Sequence, residues 1–581
     1  MLPAAGHGQQ GPIRLFPPEL APTLPEGAEP RPGEAIGPAP AAPGTEPAPS
    51  REQTAPRGFQ VEGLAPPEVD SIGIGVAEGG FERNLWAGSD PELIQNLVGA
   101  LPVATRNPPL WALTRRVLAT GATIEGADTG GRMLSARVER LLAMGDLDSA
   151  KRLLDQLPPS SGDTPLARLA AETALLLGED AAACQRAADL APTGGAAFWA
   201  EVAIYCRLAA GDVDGARLGL DLLRESGQGG DASFFQLAGT VADGAGGAPP
   251  RITEPTAVEV ALLRLAGQPL PAAALAEASP AVLSAAVRDP VLTGERQLEI
   301  AEQAFAAGAL APEGLAAAYR AAAEGDASPA VVLESLRTAW GPQTRALAWR
   351  AADAAPTPQE RGALLDATWR AASGEERFLL AAAFGRQFAN LTPDRALLAT
   401  APSAARALLA SERPLPAARW FALLSDEVGR NSAAAREVAL LQPLFALAGI
   451  GGSTAVPDLD RQAVAAWRRA MPEADARAER LFAMLDGVGA PVPDEAWWQE
   501  LALPLQRPAS VPVSAAWRTL ERAAADGRLG ETVVFALHML DGAPEVVHPE
   551  VLTRSLQALR EVGLDREARA TAVATAIAMD L

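Results

Sequence analysis

Two cysteines, three histidines and one lysine are all that this chain of 581 residues offers to thiol, imidazole or amine chemistry. His7 lies near the start, and His538 and His548 lie near the end, so the imidazole pairs that zinc sites draw on have no helical spacing to build them. The lone lysine, Lys151, is not preceded by the glycines of a phosphate loop, and neither a Gly-x-Ser-x-Gly elbow nor a His-Glu-x-x-His motif occurs. Gly73-Ile-Gly75-Val-Ala-Glu78 carries the first two glycines of a dinucleotide loop, but Glu78 stands where the third belongs. Aspartate and glutamate total 71, and none can be told from the solvated face of a helix. The expectation is a chain that is not an enzyme, with no cofactor and no metal.

Cys184 and Cys206 are the most informative pair. They fall about ten residues before and about twelve after the turn Pro192-Thr-Gly-Gly195, so in an antiparallel helix pair they come level and a disulfide is reachable. Both also lie on apolar faces beside Ala187, Val202 and Tyr205, where a buried free thiol behaves as a small hydrophobe. The two readings differ in consequence, because a bridge implies an oxidising compartment.

The elements that carry these residues are set by a repeated phrase. Gly145-Asp-Leu-Asp-Ser-Ala150, Gly178-Glu-Asp-Ala-Ala-Ala183 and Gly211-Asp-Val-Asp-Gly-Ala216 follow one another at 33-residue intervals. A fixed period of this size marks stacked helix-turn-helix units, each too small to bury its apolar face alone. Positions 147, 150, 154 and 157 read Leu, Ala, Leu, Leu, and 213, 216, 220 and 223 read Val, Ala, Leu, Leu, which places each set on one helix face. The alanine at 150, 183 and 216 lets the two helices of a pair approach closely.

The turn resembles that of the tetratricopeptide-repeat family, whose turn is commonly Gly-Asp-x-x-x-Ala before large apolar residues. Gly145 to Ala150 and Gly211 to Ala216 match it closely and Gly178 to Ala183 loosely. The family's earlier small residue falls on Val138, Ala171 and Ile204, its aromatic on Leu141, Ala174 and Arg207, and the period is 33 rather than 34. The likeness therefore covers the turn and the packing alanine over residues 133–225. It implies an α-solenoid with a concave surface that holds peptide segments or partner helices, and no catalysis.

Along the chain, residues 1–70 hold 16 of the 50 prolines and few large apolar residues, the composition of a disordered tail. Residues 71–130 read as an N-terminal helical cap, with helix starts at Ser89-Asp-Pro and near Pro109 and with Phe81 and Trp86 folded onto the first helices. Residues 131–242 are the repeats, 243–256 a Gly/Pro linker, and 257–581 a degenerate helical-repeat array whose last helix, near 566–579, reads as a terminal cap. Trp-Arg pairs at 349–350, 369–370, 467–468 and 517–518 read as core tryptophans with arginine stems along them. The fold class is all-α: an α-solenoid of antiparallel helix pairs behind a disordered Pro-rich tail.

A formal charge of −22 and a pI near 4.7 oppose nucleic acid, and no apolar run is long enough for a membrane span. The expected function is a non-enzymatic protein–protein interaction scaffold with a protein or peptide partner in its groove. The alternative is a helical toroid around a pocket for a small molecule or carbohydrate, which an aromatic-lined, closed cavity would reveal. Gly80-Phe81, Leu85-Trp86 and Ser89-Asp90, followed by the repeats and the cysteine pair, also resemble Ala- and Pro-rich bacterial envelope proteins that sometimes carry an antifreeze label. That resemblance implies the periplasm or cell envelope, whereas the literal N-terminus, with no export signal, implies the cytoplasm. Ice binding is rejected, because regular threonine arrays are missing.

Overall fold

Helices in this chain start at a proline and stop at a left-handed turn. Pro91, Pro108, Pro280, Pro329, Pro342, Pro358, Pro414 and Pro549 each open a helix, where their fixed φ suits the first turn and their missing N–H would have had no partner. Gly145, Gly178 and Gly211 sit at φ +77°, +76° and +78° at the ends of three helices. After each, the next amide bonds a carbonyl five residues back, as Asp146 does to Leu141, Glu179 to Ala174 and Asp212 to Arg207. The same closure recurs at Gly267, Gly308, Gly449, Gly489, Gly527 and Gly563. At Glu412, φ +55°, it is made without a glycine, and Arg413 bonds back to Leu408.

The computed structural model describes residues 68–581 except 125–129, 158–164, 191–196, 228, 245–250, 323–324, 326, 454–455, 502–513 and 543–545. Residues 1–67 of the expected tail and the centre of the expected linker lie outside the described residues; Val69 and Asp70, at the end of that expected tail, instead begin a 3-10 turn in which Asp70 is buried. Among the described residues there are 28 α-helices and no strand, only an isolated bridge between Ile74 and Thr120.

Two helices, α1 (Pro91–Gly99) and α2 (Pro108–Ala119), come first. A first array pairs α3 (Arg132–Ala143) with α4 (Leu147–Leu154), α5 (Pro165–Leu177) with α6 (Asp180–Leu190) and α7 (Ala197–Ala209) with α8 (Val213–Ser226), and adds α9 (Ala232–Ala242). A middle group holds α10 (Ala257–Leu265), α11 (Ala272–Ala276), α12 (Pro280–Val287), α13 (Gly294–Ala306), α14 (Pro312–Ala322), α15 (Pro329–Thr338), α16 (Pro342–Ala354), α17 (Pro358–Ala371) and α18 (Glu376–Ala389). A second array pairs α19 (Ala401–Ala410) with α20 (Pro414–Ser425), α21 (Ser432–Leu447) with α22 (Arg461–Ala470), α23 (Ala474–Gly487) with α24 (Asp494–Glu500), α25 (Ser514–Ala525) with α26 (Leu529–Met539) and α27 (Pro549–Glu561) with α28 (Asp565–Ala578). Residues 66–581 form one compact unit around a continuous apolar core.

Each array has a face filled by another helix, from outside the array in the first and from its own last pair in the second. In the first, α10 lies across α5, α7 and α9, and α12 lies against α3 and α5. Six consecutive α10 residues, from Val258 to Leu263, are buried, so this short helix is covered on all sides. In the second, α28 packs against α19, α21 and α23, and every residue from Thr571 to Ala578 is buried. The last helix is therefore not a terminal cap but the centre of its array. Its alanines and threonines are small enough for several helices to approach it at once.

The N-terminal helices close the circuit, because α1 packs on α3 and α26, and α2 packs on α3, α26 and α28. Phe81 is buried under the Arg116 guanidinium, and Trp86 lies where a side chain at Gly530 of α26 would stand. Arg116 pairs with Glu567 of α28 at 3.0 Å, and the Asn107 amide reaches Thr575 at 3.2 Å. The fully buried Arg137 of α3 donates to the carbonyls of Leu118 in α2 and of Ile72 ahead of α1, while Asp70 accepts the amides of Gly131 and Leu134 at the start of α3. Burial pushes the Arg137 guanidinium down to about 10, far enough above neutrality that it stays charged.

Candidate functional site

The first array's filled face is not filled completely. Between α10, α12 and the helices α3, α5 and α7 lies a cavity of about 490 Å³, within the usual range for ligand sites. Leu142 of α3, Arg168, Glu172 and Leu176 of α5, and Ala197, Phe198 and Glu201 of α7 form one wall. Pro255, Thr256, Ala257 and Val258 at the start of α10, with Ser279, Ala281 and Val282 at the start of α12, form the other. The cavity has one aromatic wall residue, Phe198.

Its charges come from helices that had to place them there. Glu201 is a lone carboxylate in the apolar run Ala197-Phe-Trp-Ala-Glu-Val-Ala-Ile-Tyr205, and it accepts the Gly230 amide at 2.9 Å. Burial, together with the neighbouring Asp231 and Glu259, outweighs that bond and pushes the Glu201 carboxyl above its ordinary range. Glu259 caps α10 by accepting the Thr256 amide at 2.8 Å, and its other oxygen is buried without a hydrogen-bond partner. Glu172 pairs with Arg168 at 2.8 Å, and the Arg168 guanidinium lies 5.0 Å from the Phe198 ring centroid.

Other acids of the first array are met by arginines from outside it. Arg115 of α2 pairs with Asp146 at 2.6 Å, Arg264 of α10 with Asp180 at 2.9 Å, and Arg288, just after α12, with both oxygens of Asp148. Arg264 also donates to the Leu175 carbonyl in the second turn, and its guanidinium lies over Gly178. In the third turn, Asp212 caps the Gly215 amide and Asp214 is exposed. Carboxylates in and around these turns thus serve as seats for guanidinium groups.

The residues singled out by sequence sit as follows. Gly145, Gly178 and Gly211 hold the left-handed turns, and Ala150, Ala183 and Ala216 are fully buried between paired helices. Cys184 on α6 and Cys206 on α7 form a disulfide with Cα atoms 5.6 Å apart, joining the second pair to the third. Trp349, Trp369 and Trp467 are buried, and Arg468 pairs with Glu500. His538 is mostly buried on α26 and its Nε2 bonds the Leu97 carbonyl of α1 at 3.0 Å. Among the described residues, no group of three or more His, Cys, Asp or Glu is placed to hold a metal ion, and no helix is long and apolar enough to cross a membrane.

Arg168, Glu172 and Glu201 escaped sequence reasoning because carboxylates on repeat helices look alike. The available signal was the single acid inside the apolar α7 run. A second buried polar group, remote from the cavity, was equally hidden: Glu302 of α13 takes two bonds from Arg345 of α16 and one from Tyr319 of α14. Arg345 also lies 4.8 Å over Trp340, whose indole donates to Glu376. This network ties α13, α14, α16 and α18 together. No protein family, curated protein or solved structure matches this chain.

Proposed function

We propose that this chain is a protein-binding scaffold of helical repeats, similar in its turn to tetratricopeptide repeats. A segment of a partner protein lies in the trough between α3, α5 and α7 on one side and α10 and α12 on the other. The observation that carries the reading is the cavity itself: an opening of about 490 Å³ left on a face that α10 and α12 otherwise cover. The trough is lined by three successive first helices, α3, α5 and α7, so an extended segment lying in it would meet residues of all three. The Cys184–Cys206 bridge supports an oxidising compartment, and with the resemblance to bacterial envelope proteins it favours the periplasm or cell envelope.

Panning a library of short displayed peptides on the full chain tests the binding reading. Clones are expected that lose at least tenfold in affinity for an Ala257→Phe variant, in which the ring enters the trough from α10. Failure to enrich any clone, or equal binding by the variant, overturns it. Alkylation in intact native cells followed by mass analysis tests the compartment, since the reading requires Cys184 and Cys206 to be unmodified until reduced.

A further inference from the structure

The cavity's charge is unbalanced, and its imbalance names the occupant. Three carboxylates, Glu172 and Glu201 in the wall and Glu259 in the first turn of α10 behind it, face one guanidinium, that of Arg168. Two helix N-termini, those of α10 and α12, also point here, and by themselves they would favour an anion. Each contributes about half a positive charge, which leaves an excess of about one negative charge even before Asp231 is counted. Part of each terminus is already capped: Thr256 and Glu259 close a reciprocal cap on α10, and Ser279 Oγ accepts the Val282 amide on α12. An anion would find an excess of carboxylates around it.

A cation finds the opposite. Asp146, Asp148 and Asp180 have each been given an arginine by α2, α10 or the segment after α12, but Glu201 has an amide and, for a cation, only the more distant pull of Arg168. It stands in the cavity wall as the acid whose nearest cation is already paired with Glu172. Burial that raises the cost of its charge is the cost a bound cation would relieve.

We propose that the cavity is an arginine subsite: it seats the guanidinium of an arginine carried on an extended segment of a partner protein, between the carboxylates of Glu172 and Glu201. The proposal rests on the scaffold reading and supplies its specificity. A planar guanidinium fits because two carboxylates reached from adjacent helices require donors pointing in more than one direction, which an arginine fork presents without rearrangement. The partner is thus selected by a positive residue flanked by small ones that pass between α10 and α5, not by an acidic or purely apolar motif.

The test uses the full chain and four end-blocked hexapeptides, Ala-Ala-X-Ala-Ala-Gly, in which X is arginine, citrulline, norleucine or glutamate, each with a terminal fluorophore read by anisotropy. Citrulline keeps the shape and loses the charge. The arginine peptide is expected to bind at least tenfold more tightly than the other three, and Glu201→Gln is expected to remove that advantage while keeping the Gly230 bond. Because the variant removes a buried charge whose nearest cation is already paired with Glu172, it melts no lower than the wild type, which separates lost binding from lost folding. The advantage should also weaken as pH falls, at a higher pH than an ordinary glutamate would set. Equal binding of arginine and citrulline, or an arginine preference that survives Glu201→Gln, overturns the arginine subsite and leaves the scaffold reading standing. Tighter binding of the norleucine or glutamate peptide has the same meaning. Binding by none of the four overturns the subsite, and the panning experiment then decides whether the scaffold reading falls with it.

Discussion

Gly145 and Gly211 have the same φ to within a degree and the same place in the repeat, so replacing each by alanine separates two energies that usually come mixed. A left-handed alanine costs about 1–2 kcal/mol, and stiffening of the unfolded chain returns about 0.4–1 kcal/mol. Nothing lies within 4 Å of a Cβ built on Gly211, so Gly211→Ala should cost about 1 kcal/mol and no more. A Cβ on Gly145 would lie 2.4 Å from the Ala309 Cβ and 2.6 Å from the Pro280 carbonyl oxygen, where comfortable contact needs about 3.5–4.0 Å. The turn after α13 and the start of α12 must then move by about an ångström, and overpacking of this kind adds about 1–3 kcal/mol. Gly145→Ala should therefore cost about 2–4 kcal/mol, and the excess measures how firmly the middle helices are seated on the first array.

Thermal midpoints would compress this difference. With about 2.1 cal/mol/K of unfolding entropy per residue over roughly 500 residues, 1 kcal/mol moves a single transition by only about 1 °C. Urea midpoints combined with amide hydrogen exchange are the better assay. Exchange in α12, α13 and α14 should rise in Gly145→Ala and stay at the wild-type level in Gly211→Ala. Equal urea midpoints for the two variants, or unchanged protection of α12 to α14 in Gly145→Ala, would refute the reasoning that the first turn is a docking surface.

Two further outcomes follow from buried polar groups. Glu302→Ala leaves the buried Arg345 charge with only Glu376, at 3.7 Å, and should cost about 3 kcal/mol in urea denaturation. The double change Glu302→Leu with Arg345→Met should cost clearly less, because neither charge is then left alone. Burial holds the His538 imidazole below its ordinary value of 6.5 despite the Leu97 bond and Asp541, so the folded protein prefers it neutral. The unfolded chain then binds more protons as pH falls below 6.5, and stability should drop from there toward pH 5. A His538→Gln variant, which keeps a donor for Leu97, should show a flatter decline between pH 7 and 5, measured by urea midpoints at each pH.

The helical class and the first three turns were legible in Gly145, Gly178, Gly211 and the alanines five residues on, because a left-handed helix end and a close helix approach each demand a residue type. Of the later turns, Gly267 with Ala272 and Gly563 with Ala568 keep the same offset, but most do not, and Glu412 shows why. It takes the left-handed position without a glycine, in a turn followed by Arg413 and Pro414, and its side chain pairs with Arg566 of α28. Gly308, Gly449, Gly489 and Gly527 keep the conformation but lack the alanine five residues later, so the conformation survives where the phrase has dissolved.

The filling of the inner faces was written in a different signal. Val258 to Leu263 and Thr571 to Ala578 are continuous buried runs, and a helix apolar all round belongs inside a protein. In α28 the run is of alanine and threonine except for Val573 and Ile577, so the contrast between faces is weak, and weak contrast reads as a modest surface helix. The cavity is hidden more deeply. It arises from where α10 and α12 stop short of covering α5 and α7, a fact of placement that no local pattern carries.

The position of α28 has a consequence for synthesis. Its partners α2, α19, α21 and α23 all leave the ribosome before it, and α2 does so about 450 residues earlier. At about 5–20 residues per second, the apolar side of α2 that will meet α28 waits roughly 20–90 s for its cover. The second array likewise emerges with its inner face bare and is sealed only when α28 follows. Nascent chains of this protein are thus most adhesive just before α28 emerges, and a ribosome stalled in α27 would hold the second array with its inner face still open.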